Sequence, residues 1–410
     1  MKQVKWQEVQ QKLKAGEAAI EFVHYRYTAK QATDSTMYAA LLLKPGDRQP
    51  RFITLFEERS LDSLLQSNNG LKADYVNGLY ALADRGIKIS QHGKRSLYEL
   101  IWKPLENDLK GIKTIYFSPS GLLHRINLDA IPVAENETLA DKYQLIELNS
   151  TRQLVIANEI KISDKDAVLY GGINFDAFGD STTRGGAWNY LPGTEREVNA
   201  LETIMRSAGL KTKIKKGLGA TEESFKKIGA NNSASPKILH IATHGYFFPD
   251  PKDKAGNQQS FSNKEPVFKM SDHPMLRSGL ILSGGNKGWD GDRNLEEKED
   301  GVLTAYEISQ MNLSNTELVV LSACETGLGT IQGNEGVYGL QRAFKIAGAR
   351  YLIMSLWQVP DKQTSVLMIT FYKKWLKEKM TIPNAFHAAQ KKLRDEGLDP
   401  YYWAGFVLVE

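Results

Sequence analysis

The chain has 410 residues, which at roughly 150 residues per domain implies two or three folded units. With 41% apolar and 24% charged residues, 34 glycines and 14 prolines, its composition is that of a globular protein and excludes whole-chain disorder, collagen or coiled coil. Fifty-two basic against 48 acidic residues leave a formal charge of +4, too thin a surplus for a nucleic-acid footprint, and no apolar run approaches the ~18 residues of a membrane span.

In chain order, residues 6–16 have the spacing of an amphipathic helix, and strand-like stretches follow at 18–27, 36–44 and 50–56. The second places Met37, Ala39, Leu41 and Leu43 on one parity and Ala40 and Leu42 on the other, so burial on both faces is expected. Residues 57–110 read as mostly helical, with Leu97, Leu100, Ile101, Leu105 and Leu109 at near-helical spacing. A strand at 113–117 and a turn at Pro119–Gly121 come next.

From about residue 165 short apolar runs alternate with helical segments, the pattern of a parallel sheet with helical crossovers. Strands are expected at 167–171, 210–215, 237–243, 318–323 and 351–356, with a last one at 404–409. The run TEREVNALETIMRSAG predicts a helix capped by Thr194 and closed by Gly209; further helices are expected near 335–347, 363–379 and 384–394. The interval 247–301 is polar, rich in glycine and too long for an ordinary connection. Between Lys287 and Asp300 it carries three basic and six acidic residues. A lid or activation segment is expected there, partly ordered at the apolar HPMLRSGLILSG and least ordered at 250–265 and 285–300. The division is therefore 1–160 as an N-terminal α/β half and 161–410 as a second half holding the long loop at 247–301.

Two strand ends carry the chemistry. KILHIATHG puts His244 at the C-terminal end of one apolar strand, and ELVVLSACETG puts Cys324 at the end of another. In open α/β sheets ligands bind beyond the carboxyl ends of strands, so neighbouring strands would place thiol and imidazole in one cleft, as covalent acyl transfer requires. The backbone N–H groups of Gly245 and Cys324 could then converge on a carbonyl oxygen as an oxyanion hole. Cys324 is the single cysteine, which forbids an intrachain disulfide and suits a reducing compartment. The first residues also lack the apolar core of a secretory leader, so a cytoplasmic protein is expected.

A lone cysteine is ordinarily a small buried hydrophobe, so its context decides its role. Zinc on His240 and His244 fails on geometry, because four positions along a strand at ~3.3 Å each separate them by about 13 Å. His240 reads instead as a satisfied core histidine. Gly327, Gly329 and Gly333 follow a strand and precede a helix, but they miss the G-x-G-x-x-G spacing by one residue. No metal or organic cofactor is expected.

HIATHG, LTAYEI, LVVLSACETGLGTIQGNEGVYGLQRAFKIAGA, SLWQVPD and PYYWAGFVLVE, preceded by SPSGLLHRINLDAIP, LPGTEREVNAL and HPMLRSGLILSG, resemble the CHAT domain over roughly residues 90–410. This is the caspase-like and separase-like cysteine protease domain often joined to TPR repeats in bacteria. The resemblance implies a caspase-like, parallel-rich α/β sheet flanked by helices, with a non-catalytic N-terminal half. It puts the catalytic histidine at His244 and the nucleophile at Cys324.

The resemblance further implies an endopeptidase that cuts a dedicated protein partner, such as a gasdermin-like or CRISPR-associated protein in bacterial defence, under control of a TPR-linked activator. TPR repeats are absent from these residues, as they would be in a fragment of a longer chain or a stand-alone form. The alternative is an inactive caspase-like scaffold. By the same likeness, WQVPD walls the pocket for the residue before the cut. Caspases hold an arginine in that segment and this one has none before Lys362. Asp361 and Trp357, with Glu325 and Asp129 behind them, are therefore the candidates, and cleavage after a basic residue is expected. The competing role for Asp361 is to cap the helix that follows it.

Overall fold

The apolar runs of the N-terminal region form the three strands expected of them in the computed structural model: β1 (Glu17–Thr28), β2 (Ala32–Leu43) and β3 (Arg51–Glu57). The structure describes residues 3–28, 32–65, 72–81, 96–156, 165–176, 188–231, 233–248, 271, 273, 275–290, 299–322 and 335–410. Two compact units divide the chain, one of 1–159 with 397–404 and 409–410, the other of 160–396 with 405–408.

In the first unit β1, β2 and β3 form an antiparallel meander. The other edge of β1 pairs in parallel with β4 (Thr114–Ser118). A two-stranded ribbon of β5 (Pro132–Ala134) and β6 (Glu137–Thr138) leads to β7 (Gln144–Glu147), which pairs in parallel with β4. β2, second from the edge, is buried on both parities at Tyr38, Ala39, Ala40 and Leu42, as its continuous apolar run requires. The N-terminal helix is shorter than its spacing suggests, at Trp6–Lys12, and Val9 packs with Leu13 against Ala19 and Leu43.

The region expected to be mostly helical holds helices at Glu58–Leu65 and Lys72–Leu79 and one wide helical turn at Tyr98–Trp102. Leu97, Leu100, Ile101, Leu105 and Leu109 are all buried. The regular turns stop at Trp102 because Pro104 lacks an N–H and its ring collides with the preceding turn.

The second unit contains β8 (Asp166–Ile173), β9 (Lys211–Gly217), β10 (Ile238–Ile241), β11 (Gly245–Phe247), β12 (Ser278–Ile281), β13 (Val302–Thr304), β14 (Leu318–Leu321) and β15 (Tyr351–Ser355). Five of them form one wholly parallel run in the order β15-β14-β10-β8-β9. Every residue of β10, β14 and β15 is buried, as strands covered by helices on both faces must be. Among the described residues no helix is long and apolar enough to cross a membrane.

The crossover helix after β8 runs Pro192–Ser207 and starts two residues before Thr194, with proline in its first turn. Thr194 is therefore not its cap. Its hydroxyl donates to the Leu191 carbonyl at 2.7 Å and accepts the Gly172 N–H of β8 at 2.9 Å, tying helix to strand. Gly171 completes the fit, because a Cβ there would lie 2.7 Å from Val198 Cγ1 and 2.8 Å from the Thr194 carbonyl oxygen.

Within HPMLRSGLILSG the interval is ordered at β12, as expected, and it is also ordered beyond that motif. β11, β12 and β13 build a small antiparallel sheet, and a short helix spans Gly285–Asp290, inside the stretch expected to be disordered. Residues 249–270 and 291–298 lie outside the described residues. The far end of the interval is fastened by Lys226, whose ammonium lies 2.6 Å from Glu222, 2.6 Å from Glu299 and 2.7 Å from Glu307. Glu222 also accepts the Gly301 N–H at 3.0 Å. Burial, reinforced by a hydrogen bond with Glu299, pushes the Glu222 carboxyl up to about 8 against the opposing pull of Lys226.

Gly171→Ala should cost about 1–3 kcal/mol by overpacking, read as a lower urea midpoint with an unchanged slope; an unshifted midpoint would show that the helix gives way freely. Because the folded state holds a proton on Glu222 that the unfolded state releases near 4.5, the stability due to that proton is full below pH 4.5 and is lost as pH rises towards about 8. Glu222→Gln should flatten that slope in thermal unfolding followed from pH 5 to 8, and an unaltered slope would assign it elsewhere.

Candidate active site

The strand that precedes His244 is paired in parallel with the strand that precedes Cys324 in the sequence. β10 pairs with β14 in the register His240↔Val320 and Ile241↔Leu321, and Ser322 continues the ladder by donating its N–H to the Ile241 carbonyl at 2.8 Å. His244 follows Ile241 by three positions. Cys324 follows Leu321 by the same three positions and lies outside the described residues, as does Glu325.

The imidazole of His244 is buried, 1% exposed, between two rings: Phe175 at a centroid distance of 4.9 Å and Trp188 at 5.0 Å. Its Nε2 lies 2.7 Å from the backbone carbonyl oxygen of Asn189. A carbonyl only accepts, so Nε2 carries the proton, and in the neutral ring Nδ1 bears the lone pair.

Gly245 opens β11 opposite Leu280. Neighbouring bonds run from Ile281 N–H to the His244 carbonyl and from Phe248 N–H to the Arg277 carbonyl. Hydrogen-bonded pairs alternate along an antiparallel ladder, so Gly245 falls in a non-bonded pair with its N–H directed away from β12. β11 is also the edge strand of its sheet.

Behind the strand ends lies a buried polar chain. Glu197 faces the core from the Pro192–Ser207 helix at 3% exposure; its Oε1 lies 2.9 Å from Nε2 of His240 and accepts the hydroxyl of Ser322. His240 Nδ1 meets the Tyr372 hydroxyl at 3.2 Å. His240 is therefore a satisfied core residue, as expected. The chain also fixes Ser322, two positions before Cys324.

The candidates for a specificity pocket fall in different places. Trp357 is buried against Gly405, where an added Cβ would come 3.0 Å from its Nε1. Asp361 is exposed and is the first residue of the helix Asp361–Tyr372, whose cap is Pro360. Its carboxylate packs on Gly193 at the start of the Pro192–Ser207 helix, so both helix N-termini face a negative charge. Asp129 belongs to the first unit, in the short turn Leu128–Ala130, where burial pushes its carboxyl up to about 7.

Phe175, Trp188, Asn189 and Glu197 are absent from the expected site. Only Glu197 leaves a trace in the sequence, as an acid on the apolar stripe of Val198, Leu201, Ile204 and Met205. The Asn189 carbonyl is backbone and leaves none.

The chain is similar to the mouse tetratricopeptide repeat protein 28, with 22% identity over 86% of this chain, and it spans 14% of that protein's length. Its fold resembles that in a Saccharomyces cerevisiae separase–securin complex, with a TM-score of 0.50 and 10% identity over 98% of this chain and 30% of the other. It also resembles gingipain R, described as an Arg-specific cysteine proteinase, with a TM-score of 0.42 and 9% identity over 74% of this chain and 64% of the other. Residues 92–410, which take in β10, β14 and both strand ends, match the CHAT domain, and the chain belongs to that family.

Proposed function

We propose that the chain is a cysteine endopeptidase in which His244 and Cys324 act as a dyad on a protein substrate. The observation that carries this reading is the in-register pairing of β10 with β14, from which the two residues depart at equal offsets. The carbonyl of Asn189 supports it by leaving Nδ1 of His244 as the base.

In the reaction Nδ1 takes the thiol proton and the sulfur adds to the scissile carbonyl carbon. The oxygen becomes negative and accepts N–H groups from Gly245 and Cys324. Collapse breaks the C–N bond as the proton passes from Nδ1 to the leaving amine. Water, deprotonated by the same nitrogen, then hydrolyses the thioester and restores the thiol. Selection of a basic residue before the cut falls to the exposed Asp361, with Trp357 and Glu325 of the same unit as further contributors; Asp129, in the first unit, is not included. The substrate and any activator are other proteins, in keeping with a relative named for tetratricopeptide repeats.

Cys324→Ala should abolish cleavage of a proteome-derived peptide library with folding intact, and His244→Ala should lower it by about 10²–10⁴-fold. Full cleavage by the Cys324→Ala protein would exclude the mechanism. A wild-type protein that neither cleaves nor takes up a thiol-directed peptide inhibitor would be a scaffold. Asp361→Ala should lose any preference for Arg or Lys before the cut while still labelling at Cys324; cleavage after Leu, Met or Asp in the wild type would overturn the pocket assignment alone.

A further inference from the structure

Asn286 lies in the short helix Gly285–Asp290, within the interval that sequence alone presents as a surface loop, and it is 7% exposed. Its side-chain oxygen accepts the Trp188 N–H at 2.9 Å, and its side-chain nitrogen donates to the Trp188 carbonyl at 3.1 Å and to Asp176 Oδ1 at 2.7 Å. Its backbone N–H donates to the Phe175 carbonyl at 3.0 Å. One residue thus binds both peptide groups of Trp188 and the chain at Phe175, whose rings enclose His244. The next residue after Trp188 is Asn189, whose carbonyl takes the His244 Nε2–H. Trp289, one turn along the same helix, packs edge-on against Trp188 at 4.8 Å.

We propose that Asn286 is a positioning residue for the reaction: by clamping Trp188 it aims the Asn189 carbonyl at His244 and so holds the proton on Nε2 and the lone pair on Nδ1. A primary amide suits this task, because it offers an acceptor and two donors in one plane and can bind a peptide's N–H and C=O as a neighbouring strand would. Freed of the clamp, the carbonyl can turn away, and the imidazole then loses the bond that distinguishes its two nitrogens. The titratable group bonded to Asn286 is Asp176, while the rings against His244, Phe175 and Trp188, are not titratable. The proposal rests on the His244–Cys324 reading and extends it to a segment outside the two strands.

The test uses the lone cysteine of the full chain, so an alkylating label reports one position. The rate of Cys324 alkylation by iodoacetamide is followed from pH 5 to 10, with circular dichroism as the folding control. The wild type should alkylate well below the ~8.5 of a free thiol, and His244→Ala should remove that acidic limb. Asn286→Ala should move the limb up by about one unit, a roughly tenfold slower rate at pH 6. Asn286→Asp keeps the acceptor for Trp188 and loses the donors, so it should fall between the two; it is also the variant to read should the alanine protein not fold. A folded Asn286 variant whose profile superimposes on the wild type overturns the proposal while the dyad stands. If wild type and His244→Ala are already identical, the dyad reading fails and takes the proposal with it.

Discussion

The parallel pairing of β10 with β14 is the constraint on which the site depends. Parallel strands run in the same direction, so what leaves one carboxyl end emerges beside what leaves the other. Ile241 opposite Leu321 fixes that neighbourhood to a single register. A slip of one residue would turn every buried side chain of a strand to the opposite face. All four residues of each strand are buried, so it is the polar contacts of His240 with Glu197 and Tyr372, rather than an alternation of apolar and polar faces, that single out the register.

The polar chain behind the strands makes the arrangement specific. Glu197, His240, Tyr372 and Ser322 satisfy one another in a region without exposed surface, and burial raises the Tyr372 hydroxyl well above its ordinary value, next to the Glu197 carboxylate. Buried polar groups are tolerable only when all are bonded. The network therefore ties two helices, Pro192–Ser207 and Asp361–Tyr372, to β10 and to the chain at Ser322. On the other side, His244 is held by two rings and one carbonyl. The two halves of the proposed chemistry are thus secured by separate devices, a buried carboxylate for the nucleophile strand and a backbone carbonyl for the base.

Much of this was legible in the sequence. Continuous apolar runs such as LVVL and YLIM announce strands buried on both faces, and they fall within a residue or two of the observed β14 and β15. His244 and Cys324 stand out because each ends such a run. What periodicity could not reveal depends on tertiary contact. Thr194 looks like a helix cap and instead bonds β8, because the proline before it already starts the helix. The apolar HPMLRSGLILSG signals the order found at β12, whereas the glycines and charges of 285–300 resemble a loop, yet a helix spans Gly285–Asp290 and Lys226 gathers three carboxylates at the segment's end. Asn286 carries no signal of its own; its role exists only once Phe175 and Trp188 are brought to it.

The central claim is that His244 and Cys324 face one another, and it can be measured without a substrate. His244→Cys leaves the chain with two thiols, one at each strand end. The account predicts that a short bis-alkylating reagent such as dibromobimane bridges them within one chain, giving a single crosslinked peptide pair by mass spectrometry. A folded protein in which both thiols react separately and no bridge forms would contradict it.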